Sequence, residues 1–329
     1  MIAFGFLSRF GSGASLAVGG EILSDCFSAK TQGRAGAVYK LFPLRGMLFM
    51  RETHAPTILA RRLKIQIQTA GNTALHTPYS SADEKTIWTI IGLALRRPLR
   101  MLTTQPIIFC LFFYYAYTYG IMYLVLSTFS TLWETVYNEF TSIAGLNYIS
   151  LGLGYFVGSQ ICAISVDRIY NHLKIRRRHF RKSNTSSEEN TAGLPEYRLP
   201  LMAPASLFIP AGLLIYGLTA AAHSHWIFPV TGTFLFGLGA IISFQCIQNY
   251  LIDAYSLYTA SAIGATTFLR AIGGFGLPLL GPKLYESLGY GGGNGLLAGT
   301  ALVVGCTAPF VLWRWGPVLK ARSKFAAGE

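Results

Sequence analysis

The residues best able to do chemistry in this 329-residue chain are two arginines that stand inside long apolar stretches, Arg9 and Arg270. A charge at bilayer depth is costly, so such residues face a bundle interior, pair with an opposite charge or mark a solute path. Arg270, in Leu269-Arg270-Ala271, sits near the middle of its stretch. It lines a solute path, pairs with a carboxylate, or bonds helix carbonyls. Arg9 lies nearer an end and can equally snorkel to the interface. The carboxylates stand at the ends of apolar stretches. Glu21 and Asp25, four apart, share one helical face, and Asp253 ends another stretch. All three read as interfacial gates or caps. Tyr115, Tyr119 and Tyr123 recur every fourth residue and are broadened by Tyr114 and Tyr117. This aromatic stripe either suits flat apolar or cationic ligands through stacking and cation–π contacts, or packs against a neighbouring helix. Gln245 and Asn249, also four apart, can hydrogen-bond a helix or a solute.

The elements that must hold these residues are seven stretches near 2–23, 102–127, 142–165, 203–222, 226–249, 258–281 and 294–313. A hydrocarbon core of about 30 Å needs about 20 mostly apolar residues of helix, and backbone within it must be helical. The chain therefore reads as an all-α polytopic membrane protein. Its net charge of +13 would point to nucleic acid in a soluble protein, but placement excludes that. Nearly all Lys and Arg fall in 24–101, 166–200 and 314–324. Basic residues confined to one set of loops follow the positive-inside pattern and attract anionic lipid. The C-terminal tail is then cytoplasmic.

Four regions follow from this pattern: 1–24, the first span; 25–101, a basic cytoplasmic linker with a helical stretch and a polar run; 102–315, a six-helix bundle with a cytoplasmic loop at 166–200; and 316–329, the tail. The sequon Asn184-Thr185-Ser186 falls in that loop and is expected to stay unmodified. Arg9 interrupts the first span, which makes it a poor signal peptide. Cys26, Cys110, Cys162, Cys246 and Cys306 are scattered, without metal or disulfide spacing, and read as packing residues. Glycine spacing, including Gly154-x-x-x-Gly158, allows close helix approach. No nucleophile–base pair, metal cluster or phosphate loop is present, so neither an enzyme nor a cofactor is expected.

Several local patterns, in order, resemble the drug:proton antiporter branch of the major facilitator superfamily in its fungal multidrug form. Gly19-Gly20-Glu21-Ile22-Leu23-Ser24-Asp25-Cys26-Phe27, then Gly33-Arg34-Ala35, is similar to the family's fourth helix and the loop after it. Glu52-Thr53-His54-Ala55-Pro56 with Arg61-Arg62 resembles the exit from the sixth. Arg97-Pro98 through Pro106 and Tyr114-Tyr115-Ala116-Tyr117 resemble the seventh, and Pro195-Glu196-Tyr197-Arg198-Leu199-Pro200 the approach to the ninth. His225-Trp226, Tyr250-Leu251-Ile252-Asp253-Ala254-Tyr255 and Arg270 match the tenth and eleventh. The family's first three helices have no counterpart, and six residues, 45–50, stand where its fifth and sixth would lie. The arginine expected in the fourth helix falls at Arg9, one turn late.

The resemblance implies a partial major facilitator fold, with a complete C-terminal six-helix bundle plus one helix of the N-terminal half. It implies export of small hydrophobic compounds by proton antiport and alternating access, in the plasma membrane, with substrate, protons and lipid as partners. Substrate would then pass Tyr115, Tyr119, Tyr123, Gln245, Asn249 and Arg270. Gating or coupling would fall to Arg9, Glu21, Asp25, Asp167, Arg168 and Asp253. Asp167-Arg168 resembles the superfamily's Asp–Arg gate, though Arg168 also reads as a plain positive-inside anchor. Two alternatives remain: a seven-helix receptor, on the strength of Asp167-Arg168-x-Tyr170, and a non-transporting remnant. The receptor would need a Cys at the outer end of the third span and an Asn-Pro-x-x-Tyr in the last, and the chain has neither.

Overall fold

The computed structural model describes residues 55–70, 106–182, 195–255 and 259–321. The first span at 2–23, with Arg9, Glu21 and Asp25, lies outside these, as does the sequon.

Helix α1 is Ala55–Ala70, within the stretch read as helical and basic. The membrane part follows: α2 (Pro106–Thr135), α3 (Thr141–Lys182), a 3-10 turn at Pro195–Arg198, α4 (Met202–Ala221), α5 (Ile227–Ala254) and α6 (Thr259–Ala321). No strand occurs among the described residues. Helices α2 to α6 are all long and apolar enough to cross a membrane. At 1.5 Å per residue, the 20 residues of α4 span about 30 Å, the hydrocarbon thickness. Phe113, Phe275 and Phe310 are each at least 60% exposed. In water such a surface would aggregate, whereas against lipid it is the solvated face.

The last helix is two crossings. At Gly289 the backbone takes φ 66° and ψ 177°, a combination essentially closed to residues with a Cβ. There the chain doubles back, so that the Tyr285 hydroxyl reaches the Asn294 side-chain oxygen at 3.1 Å. A continuous helix would put those residues on opposite faces. The limbs, 259–288 and 290–321, correspond to the sixth and seventh stretches of the sequence.

Register defines the packing. Ser150 meets Thr233 at 2.7 Å and Ser159 meets Gln245 at 2.8 Å, so α3 and α5 run parallel. Gly120 faces Gly273, and Leu124 and Thr128 face Gly281, so α2 runs parallel to the first limb. Gly212 lies against Gly232, and Gly217 against Asn294, with Ser206 facing Gly305; α4 is thus antiparallel to α5 and to the second limb. The turns after α2 and α4 and the bend at Gly289 share one end of the bundle. The first two each use a left-handed residue, Asn138 (φ 54°) and His223 (φ 48°).

Several boundaries run past the sequence reading, α2 to Thr135 rather than 127 and α5 to Ala254 rather than 249, and α3 most of all. The third stretch does not end at 165, because α3 continues as helix to Lys182. Hydropathy falls there while helix hydrogen bonding does not, so the apolar boundary marks the edge of lipid rather than the end of the element.

Candidate functional site

Halfway along the bundle, Arg270 on the first limb meets the tyrosine stripe of α2. Its guanidinium lies 4.6 Å from the centre of the Tyr119 ring and 5.8 Å from that of Tyr115. The parallel register of α2 and this limb puts the residues at one depth, and the close approach at Gly120 and Gly273 brings them within reach. The Tyr119 and Tyr123 rings lie 4.7 Å apart at a tilt of 45°, with their hydroxyls 3.2 Å apart. From α5, Phe244 packs at a tilt against Tyr115 at 4.5 Å and flanks Tyr119 at 6.1 Å. Tyr155 of α3 completes the wall and bonds the Met122 sulfur. The cation over these rings is therefore the protein's own arginine. No acidic side chain among the described residues forms an ion pair with it.

Gln245 does not enter this cluster. Its Nε2 donates to Ser159 Oγ at 2.8 Å, which fastens α5 to α3. Asn249, one turn further along α5, is buried. Phe244 and Tyr155 escaped the sequence reading because isolated aromatics in apolar helices carry no period of their own.

A second constellation closes one end of the bundle. Arg198, wholly buried, donates from Nη1 to Asp167 Oδ1 and from Nε to Asp253 Oδ2, both at 2.8 Å. Its guanidinium also lies 4.6 Å from the centre of the Tyr170 ring. One arginine on the 3-10 turn thus ties α3 to the end of α5. Burial pulls the guanidinium down, but Asp253 and Asp167 outweigh it and hold Arg198 above its ordinary value. Asp167 is therefore bonded to a residue 31 positions away, while its neighbour Arg168 is exposed. Glu196 is 3% exposed, and neither of its carboxyl oxygens accepts a hydrogen bond among the described residues. Within the sequence, Arg198 and Glu196 were visible only as part of a motif leading into a helix, since nothing local shows what a loop residue will meet.

Six apolar crossings in paired parallel and antiparallel register, with a half-buried cation set against aromatic side chains at mid-depth, define an integral multi-pass membrane protein. The comparisons with known proteins identify which kind. The chain is 38% identical to the efflux pump vrtL of Penicillium aethiopicum, over all of this chain and 69% of that protein. It is 36% identical to the MFS-type transporter oryF of Aspergillus oryzae, over 97% of this chain and 70% of that one. It is 35% identical to the uncharacterized transporter C1529.01 of Schizosaccharomyces pombe, over 98% and 70%. The chain belongs to the MFS-type transporters, the major facilitator superfamily. No family model matches it. No solved structure matches it either.

Proposed function

We propose that this protein is a secondary transporter that exports small hydrophobic compounds by proton antiport and alternating access, with the basic end of the bundle in the cytosol. The observation that carries this reading is Arg270 seated on Tyr115 and Tyr119 at mid-bundle. Substrate sites of such transporters lie near the midplane between two bundles that rock about them. Aromatic walls stack on flat compounds. A guanidinium already over the rings repels a cationic compound and attracts an acceptor, such as a phenol, a quinone or a carboxylate. Names of relatives such as vrtL and mfs2, both called efflux pumps, support outward movement. In vesicles holding the purified chain, an imposed pH gradient drives accumulation of a planar phenolic compound, and R270Q abolishes it. Movement that ignores the gradient removes the antiport claim.

A second reading, a chain that binds but does not transport, has one observation in its favour. The alignment to vrtL runs over 363 positions, more than the 329 residues of the chain. Stretches of vrtL within the alignment therefore have no counterpart here. Under this reading the chain binds the compound, loses binding in R270Q, and shows no flux under any gradient.

A further inference from the structure

Arg168 is left outside both constellations. It is exposed on α3, with His172 exposed one turn further on and Arg176 exposed a turn beyond that. Arg168 and His172 border a shallow groove of about 630 Å³, whose apolar floor includes Leu173, Leu201, Pro204 and Trp313. No acidic residue lines it among the described residues. The nearest carboxylate in sequence, Asp167, is already bonded to Arg198 on the buried side of the helix. Trp313 is 46% exposed and is followed by the exposed Arg314. One wall of this groove is thus cationic and the other apolar.

Depth accounts for that division. Measured from Ile143, where the apolar run of α3 begins, Arg168 lies about 38 Å along the helix. The hydrocarbon ends at about 30 Å, so Arg168 and His172 stand at headgroup level, with Trp313 in the position of an interfacial anchor.

We propose that the groove binds an anionic glycerophospholipid of the adjoining leaflet. The phosphate sits on Arg168 and His172, and an acyl chain lies along Leu201 and Pro204. A guanidinium presents a fork of donors that matches phosphate oxygens, and basic pockets between helices on the cytoplasmic side recognise acidic headgroups. The apolar floor selects a lipid over a free phosphate, which would leave it uncovered. This site depends on the chain lying in a bilayer, not on its transporting anything.

The test is native mass spectrometry of the full chain in mild detergent, titrated in turn with phosphatidylserine and phosphatidylcholine. The wild type retains phosphatidylserine at least about fivefold better, and R168Q/H172Q reduces that preference to less than about twofold. The variant K283Q, an exposed cation at the opposite end of the bundle, leaves the preference unchanged. A single R168Q gives an intermediate value, and thermal unfolding of each variant confirms that it is folded. Undiminished preference in folded R168Q/H172Q overturns the proposal. So does complete displacement of the lipid by millimolar inorganic phosphate, which would make this a plain anion site.

Discussion

Asp167 bonds Arg198 rather than Arg168, although Arg168 is its neighbour in sequence and Arg198 lies across a loop. Successive helical residues point about 100° apart, so Asp167 turns into the bundle where Arg168 turns out of it. The two residues of the gate-like dipeptide therefore have different surroundings. Its acid joins the charge cluster with Asp253, and its base is exposed.

Removing Arg198 leaves the buried Asp167 and the largely buried Asp253 without their guanidinium. R198A is expected to destabilise the chain by about 3–5 kcal/mol, the usual cost of breaking a buried ion pair from one side. Replacing the whole cluster, in R198M/D167N/D253N, recovers most of that loss, because the charges disappear together. Thermal unfolding of the three proteins in detergent separates the cases. Equal loss in both variants would show that packing, not charge balance, holds this end.

Glu196 offers the opposite sign. A buried carboxyl without a hydrogen-bond partner costs about 1–3 kcal/mol, and it is 3% exposed. E196M, of similar length and without the polar atoms, is expected to raise the unfolding temperature. A lower value would reveal that the carboxyl has a partner the described residues do not supply.

Two glycines on α3 make a matched pair. A methyl group on Gly154 would collide with the Phe234 carbonyl of α5, whereas one on Gly152 meets nothing within 4 Å. G154A therefore pushes two parallel helices apart and costs about 1–3 kcal/mol as an overpacking change. G152A stays within about 0.5 kcal/mol of wild type. Paired chemical unfolding curves decide the matter, and similar values for both would contradict the close approach.

At Gly289 the constraint is dihedral rather than steric crowding, since a Cβ there has open space around it. With φ 66° and ψ 177°, even Asn, which tolerates the left-handed helical region, is out of place. G289A and G289N are both expected to cost about 1–3 kcal/mol. Recovery by Asn would mean that the turn relaxes toward the left-handed helical conformation. Hydrogen exchange of the backbone around 285–294 reports which occurs.

What the amino-acid sequence determined alone was everything set by the solvent. Stretches of about 20 apolar residues, basic residues confined to alternate connections and the four-residue recurrence of Tyr115, Tyr119 and Tyr123 are local patterns. Lipid reads them segment by segment, so they were legible without coordinates. The tertiary structure decided the partners. Arg270 finds Tyr119 because α2 and the first limb of α6 run parallel with Gly120 against Gly273. Arg198 unites Asp167 and Asp253, 31 and 55 residues away, because α3 and α5 also run parallel, in a register that sets Asp167 level with Asp253. Gln245, which reads in sequence as able to bond either a helix or a solute, is held by Ser159 for the same reason. Helix register is a property of pairs of segments, set by which small residues let two backbones meet, and no single segment carries it.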